Sequence, residues 1–163
     1  MGIGYGFKCK KCQNEYKVFL GVGMMYPTVY NDFVKEIIRG DYGSKRQELM
    51  KSHPFAAVNA GSEFYLCGNC GYWEVGKDAS LYLPKGAEDV VLSDNNPELG
   101  ENGILPFISS YELRKNYRIL MRYRKRCIKC GKYMHRIPET EIDEVPCTRC
   151  GEKNSVDSII NWD

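Results

Sequence analysis

The hydrophobic and polar positions of this chain follow two different periods, which indicates strands in some stretches and helices in others. Residues 3–8 and 16–22 flank a short polar segment and are predicted to form the two arms of a β-hairpin. A helix is predicted from Pro27-Thr28, because apolar residues then recur three and four positions apart until Gly40 provides a stop signal. The apolar stripe, which we expect to face the core, consists of Tyr30, Phe33, Val34, Ile37 and Ile38.

A second, shorter helix and a longer β-region are predicted after this stop. Ser44 and Gln47 resemble a capping box, which predicts a helix through about Lys51. His53-Pro54 would end it, because the residue before a proline disfavours helical backbone. From residue 56 to residue 75 the alternation and the aromatic content are typical of strands.

The second half of the chain has weaker signals. Residues 85–110 are rich in glycine, proline, asparagine and acids, and we interpret them as a linker. Residues 111–126 fit either a helix or a strand, and we favour a strand from about Asn116. Residues 156–162 are predicted to close the C-terminal part of the chain as a further strand.

All eight cysteines of the chain occur in four Cys-x-x-Cys pairs. Two residues between thiolates let the backbone curl under a metal ion, and a following glycine can adopt the positive φ that this turn requires. Gly71, Gly131 and Gly151 hold that place. In the first pair Gln13 stands there, and Asn14, which follows it, is the residue that we expect to replace glycine in the left-handed turn.

Four pairs can form two four-cysteine sites in three ways: consecutive, interleaved or nested. The third and fourth pairs enclose 16 residues, the spacing expected of a zinc ribbon, and this favours the consecutive arrangement. The first and second pairs would then form the other site. The predicted sites are therefore Cys9, Cys12, Cys67 and Cys70 (site 1) and Cys127, Cys130, Cys147 and Cys150 (site 2), each holding one Zn²⁺.

The cysteine pairs also carry a family resemblance. The segment from Cys127 to Gly151 resembles the zinc ribbon of transcription, ribosomal and small bacterial proteins, and Cys67-Gly68-Asn69-Cys70-Gly71-Tyr72 resembles a rubredoxin knuckle. The whole chain is similar to short, uncharacterised bacterial zinc-ribbon proteins. The expected fold is α+β, with two small zinc-ribbon β units. Its predicted parts are residues 1–84, with a two-helix insertion at about 28–52, then a linker at 85–110, and residues 111–163.

Charge and composition narrow the function classes. The formal net charge is +2, but two zinc ions each bound by four thiolates would bring the protein near −2, so the overall charge does not indicate nucleic acid. The Met1-Gly2 terminus resembles no secretory signal, and no apolar run is long enough to span a bilayer, so we expect a cytoplasmic protein that is not bound to a membrane.

No catalytic constellation or small-molecule substrate is predicted, and the expected function is non-enzymatic binding of a macromolecule. Basic residues are concentrated between Glu112 and Pro138, with ten lysines and arginines and one acid. If residues 116–126 form a strand, the arginines on one face could bind a phosphate backbone. These are Arg118, Arg122, Arg124 and Arg126. A protein partner remains the other interpretation, and an iron-binding, rubredoxin-like electron carrier is the alternative function.

Overall fold

The computed structural model describes residues 2–53, 55–86 and 107–162 of the chain. In chain order its elements are β1 (Gly2–Lys8), β2 (Glu15–Gly21), α1 (Tyr26–Arg39), α2 (Ser44–Ser52), β3 (Ala57–Leu66), β4 (Trp73–Pro84), α3 (Ser110–Asn116), β5 (Tyr117–Met121), β6 (His135–Arg136), a 3₁₀ helix (Glu139–Glu144) and β7 (Ser155–Trp162). The fold is α+β, as predicted.

The strands form an antiparallel sheet in the order β5-β4-β3-β2-β1-β7, and β6 pairs with β3. The predicted hairpin at the start of the chain is confirmed, because β1 pairs along its whole length with β2. The last strand returns to this hairpin and pairs with the other side of β1, so that Lys8 lies opposite Ser155 and Gly2 opposite Trp162. The two ends of the described chain therefore share one ladder of hydrogen bonds.

The described chain forms two compact units, each built from separate segments. The first unit contains Met1–Met24, Gly61–Lys77 and Arg124–Asp163, and the second contains Met25–Ala60 and Asp78–Tyr123. This grouping differs from the predicted division into consecutive domains. The physical reason is the pairing of β7 with β1, which places the C-terminal residues in the same unit as the N-terminal hairpin. Most of the predicted linker, at 87–106, lies outside the described residues.

The core of the first unit lies on one face of the β1–β2 hairpin. Its buried members come from the inward-facing positions of the strands and from the segment around the 3₁₀ helix. They are Tyr5, Phe7, Val18, Leu20, Phe64, Ile137, Ile142 and Val145. On the other face of β1, a Cβ atom added at Gly4 would lie 3.0 Å from a ring carbon of Phe19. Glycine at this position lets the Phe19 ring lie across the strand.

The core of the second unit is built around α1. Tyr30, Phe33, Val34 and Ile37 are at most 2% exposed and pack against Val58, Ala60, Ala79 and Leu81 from the strands. The predicted apolar stripe is thus confirmed, with Ile38 partly buried at its margin. The helix ends as predicted at Gly40, whose φ of 96° provides a left-handed cap.

Helix α2 is present as predicted, but the predicted capping box is wrong. Gly43 is the N-cap residue, and no side chain caps the helix. Gln47 instead donates a hydrogen bond from Nε2 to the carbonyl oxygen of Ile38 at 2.8 Å. Arg46 donates to the carbonyl oxygens of Tyr42, Ala79 and Arg122 at 3.0–3.1 Å. No residue of α2 is fully buried, so these polar contacts anchor a helix that apolar packing alone holds weakly.

The ambiguous segment contains both a helix and a strand. Helix α3 runs to Asn116, and Ser109 caps it by accepting a hydrogen bond from the backbone N–H of Glu112 at 3.2 Å. Strand β5 begins at Tyr117, close to the predicted start, and pairs with β4. It ends at Met121, five residues before the predicted end.

Candidate metal centres

The four Cys-x-x-Cys pairs form four knuckles with the same backbone hydrogen bonds. In each, the N–H of the first cysteine donates to the carbonyl oxygen five residues later, at 2.7–3.0 Å. The N–H four residues after the first cysteine donates back to its carbonyl oxygen at 2.9 Å. This tight turn leaves the intervening N–H groups facing the sulfur atoms, as in Lys129 N to Cys127 Sγ and Arg149 N to Cys147 Sγ, both 3.4 Å.

The residue after the second cysteine of each knuckle adopts a positive φ. Gly71, Gly131 and Gly151 have φ angles of 69–77°, as their place in the motif predicts. In the first knuckle Gln13 itself takes this conformation, with φ 56°, so the expectation that Asn14 would do so is wrong. The Gln13 side chain donates from Nε2 to the carbonyl oxygen of Lys10 at 2.9 Å, a local bond that partly offsets the strain of the positive φ.

The knuckles combine in the nested arrangement. The first meets the fourth, and the second meets the third, so the predicted consecutive pairing is wrong. The two clusters are Cys9, Cys12, Cys147 and Cys150, and Cys67, Cys70, Cys127 and Cys130. In the first cluster two Sγ–Sγ distances between knuckles are 3.5 and 3.6 Å, and in the second two are 3.4 and 3.6 Å.

Strand pairing explains this arrangement. The first knuckle follows directly after Lys8, and the fourth ends shortly before Ser155, which lies opposite Lys8 in the β1–β7 ladder. The second knuckle likewise follows Leu66, which lies opposite His135 of β6. Each centre thus joins a knuckle that connects two neighbouring strands, β1 and β2 or β3 and β4, to a knuckle that precedes a strand paired with the first of them, β7 or β6.

The sulfur geometry fits a tetrahedral metal ion. Within each cluster the four Sγ atoms lie within 4.8 Å of one another, and all eight cysteines are free rather than disulfide-bonded. Metal–sulfur bonds of about 2.3 Å in a tetrahedron give sulfur–sulfur edges of about 3.8 Å. The four Sγ–Sγ distances of 3.4–3.6 Å between knuckles are close to this value. The two clusters are therefore suited to metal binding and fit two zinc-ribbon-like sites.

The electrostatics of the thiols favour a bound cation. Burial raises the pKa of the Cys147 thiol, but backbone N–H groups and neighbouring thiols lower it more strongly, to about 6. The same balance lowers the pKa of Cys67 to about 7. For Cys70 and Cys150, a backbone N–H group lowers the pKa, but burial and the neighbouring thiols raise it to about 12. A divalent cation would favour the thiolate form of all four sulfurs and relieve this competition.

Contacts between knuckles hold each cluster together beyond its sulfur atoms. At the first cluster Lys11 forms an ion pair with Glu152 at 2.9 Å, which joins the first and fourth knuckles. A further bond joins the two clusters: Trp73, just after the second knuckle, donates from Nε1 to the carbonyl oxygen of Pro146, just before the fourth, at 2.8 Å. At the second cluster the Lys129 ammonium lies 4.9 Å from the centre of the Tyr72 ring. No local pattern in the sequence indicates these pairings, because each joins segments far apart in the chain.

The four predicted arginines do not share a strand face. Only Arg118 lies in β5, where it is half-buried and interacts with other residues. Arg122, Arg124 and Arg126 follow the end of the strand and are exposed. Arg126 donates to the carbonyl oxygen of Gly131 at 3.1 Å, which places it on the third knuckle instead.

Two further observations concern function more broadly. Within residues 2–53, 55–86 and 107–162, no helix is long and apolar enough to cross a membrane. Comparison of the chain with protein-family models, with curated proteins and with solved structures finds no match.

Proposed function

We propose that this protein is a non-enzymatic zinc protein that binds a macromolecule through a surface that two structural metal ions hold rigid. The observation that carries the proposal is the gathering of eight cysteines into two compact four-sulfur clusters. Four thiolates complete the tetrahedral coordination of Zn²⁺ and leave no position for a water molecule or a substrate. The proposed role of the metal is therefore structural.

The magnitude of metal binding supports this role. A structural zinc ion contributes on the order of 10–16 kcal/mol in small zinc-finger peptides, whereas the net stability of a whole domain is about 5–15 kcal/mol. Each centre here joins strands that come from distant parts of the chain. Binding of the ions would thus stabilise the ladder between β1 and β7, and the pairing of β3 with β6, at the ends nearest the knuckles.

Metal analysis of the freshly purified protein tests the identity of the cofactor. We expect two zinc ions per chain and a colourless protein. A red protein with iron in both centres would support the rubredoxin-like electron carrier instead. Reconstitution of the metal-free protein with each metal in turn provides the control for metal acquired during expression.

Chelation tests the structural role. Quantitative removal of the metal should abolish hydrogen-exchange protection in β1 and β7 near Lys8 and Ser155, and added Zn²⁺ should restore it. Unchanged protection after complete removal would contradict a structural role for the ions. Added Mg²⁺, which prefers oxygen ligands, serves as the control and should not restore protection.

A further inference from the structure

The third knuckle lies within a strongly basic segment of the first unit. Residues 124–136 contain six lysines and arginines and no acid. Lys125 points inward, because it pairs with Glu74 at 3.3 Å and its ammonium lies 5.5 Å from the centre of the Tyr65 ring. Arg124 and Arg126, on either side of it, are exposed. Inward-facing and outward-facing cations thus alternate along residues 124–126.

The two outward arginines form a cluster with Tyr133. The Arg126 guanidinium lies 4.5 Å from the centre of the Tyr133 ring and donates to the Tyr133 hydroxyl at 3.0 Å. The Arg124 guanidinium lies 5.9 Å from the same ring. Tyr133 is nevertheless 52% exposed, so part of the ring stays accessible to another planar group. The bond from Arg126 to Gly131 fixes this cluster to the metal-binding knuckle.

Two more cations belong to the same surface, and an apolar side chain lies beside them. Lys129 and Lys132 are exposed on the same knuckle, and Ile128 at its tip is 75% exposed. We call Arg124, Arg126, Lys129, Lys132 and Tyr133 the third-knuckle surface. Within the described part of the chain, none of its four cations forms an ion pair, whereas Lys125 and Arg136 nearby are paired with Glu74 and Glu63.

These cations exceed what neutralisation of the metal centre requires. A zinc ion with four thiolates carries a charge of about −2, which four unpaired cations outweigh. The other centre would carry the same charge, yet two of its lysines are already paired with carboxylates, Lys8 with Glu15 at 2.8 Å and Lys11 with Glu152 at 2.9 Å. The third-knuckle surface therefore keeps an excess of positive charge and is suited to an anionic partner.

We propose that the third-knuckle surface binds single-stranded nucleic acid, with its cations on phosphates and Tyr133 against an unpaired base. This inference rests on the proposed function and names its partner. Guanidinium groups bind phosphate in a bidentate manner, and an exposed aromatic ring stacks on bases that a duplex would hide. A protein partner fits less well, because the centres of protein interfaces are depleted in charge.

Fluorescence anisotropy with the two-metal protein and a labelled 20-nucleotide oligothymidylate or oligouridylate tests the proposal. Contacts from three or four cations predict a slope of about −2 to −3 in log K against log salt, or a loss of affinity of about 20- to 50-fold between 50 and 200 mM salt. A duplex of the same length should bind more weakly, because its bases are stacked within the helix.

Paired variants separate this surface from general electrostatic attraction. Arg124→Gln with Lys132→Gln should reduce affinity by at least about tenfold at 50 mM salt and reduce the slope by about 1.4. The control is Lys45→Gln with Lys51→Gln in α2, two exposed lysines whose removal makes the same change in net charge. Tyr133→Leu should reduce affinity by about tenfold and leave the salt slope unchanged.

Metal content measured on every variant distinguishes the two proposals. A protein with two bound ions that binds neither oligothymidylate nor oligouridylate at 50 mM salt would refute the nucleic-acid inference. A protein partner would then remain for the rigid scaffold. An equal loss of affinity in the α2 control would also refute it, because the binding would then be unspecific. A chain without metal would instead contradict the proposed function itself.

Discussion

Replacing the first pair of cysteines tests the nested arrangement of the centres directly. With Cys9 and Cys12 changed to serine, the centre that they form keeps only Cys147 and Cys150 as ligands. The other centre keeps all four of its cysteines. We therefore expect the metal content to fall from two ions per chain to one, and two specific thiols to become free.

The expected loss of stability depends on which interactions remain after one ion is lost. The contribution of a structural zinc ion, on the order of 10–16 kcal/mol, is comparable to the net stability of a domain, about 5–15 kcal/mol. The ladder of seven residue pairs between β1 and β7 and the apolar cluster around Tyr5 and Phe7 do not depend on sulfur. The loss of protection should therefore begin at Lys8 and Ser155, beside the knuckles, and decrease towards Gly2 and Trp162.

Alkylation of the native variant followed by peptide mass spectrometry identifies the freed thiols. We expect modification of Cys147 and Cys150 and protection of the other four cysteines. In the wild-type protein loaded with cadmium-113, through-bond correlations should connect one ion to the β-protons of all four cysteines of its cluster. For the first centre these are Cys9, Cys12, Cys147 and Cys150.

The opposite result would refute the nested arrangement. If Cys67 and Cys70 were alkylated in this variant, the first and second knuckles would share a metal. The matched control is Cys127→Ser with Cys130→Ser, which should free Cys67 and Cys70 and leave the first centre intact. Consecutive pairing predicts that the same control frees Cys147 and Cys150.

Three further predictions concern side chains away from the sulfur atoms. Gln13→Gly should stabilise the metal-bound protein by about 0.5–1 kcal/mol in urea unfolding, because relief of about 1–2 kcal/mol of left-handed backbone strain exceeds the entropy cost of glycine. Gln13→Ala is the control, and equal stability of the Gly and Ala variants would contradict the reasoning. Arg46→Met should cost about 2–4 kcal/mol in thermal unfolding, since three carbonyl oxygens lose a charged donor, whereas Lys45→Met should cost little. Burial raises the pKa of Tyr30 from 10.0 to about 12, so between these values the folded state keeps a proton that the unfolded chain loses. This contribution to stability is complete below pH 10 and is lost as the pH rises to about 12. Tyr30→Phe should therefore lose less stability over that range, and an unchanged slope of unfolding free energy against pH would show that another group titrates.

Local patterns predicted the elements that depend on a single stretch of chain. Strands β1 and β2, the apolar stripe of α1 and its stop at Gly40 follow from residue spacing, and all three agree with the structure. The eight cysteines as cluster members follow equally from their motif. The capping box at Ser44 failed because Gln47 bonds to Ile38 of the preceding helix, and the sequence around α2 does not reveal that contact.

The predicted arginine face is wrong because the strand that would carry it was predicted to extend to residue 126. Alternation alone cannot show where a ladder ends, and β5 stops at Met121, where its pairing with Leu81 of β4 ends. The alternation itself persists beyond this point, with Lys125 inward and its neighbours outward. A basic surface was therefore predictable, but its attachment to the third knuckle depends on the bond between Arg126 and Gly131.

Loop entropy explains why the pairing of the knuckles could not be predicted from spacing. Consecutive pairing would close loops of 54 and 16 residues, whereas the nested pairing closes loops of 56 and 134 residues. Because the cost rises with the logarithm of loop length, the difference is at most about 2 kcal/mol. The seven pairs between β1 and β7, with the buried side chains beneath them, outweigh it. The decisive signal is therefore the strand that follows Cys150, since the partner of that strand determines which sulfur atoms meet.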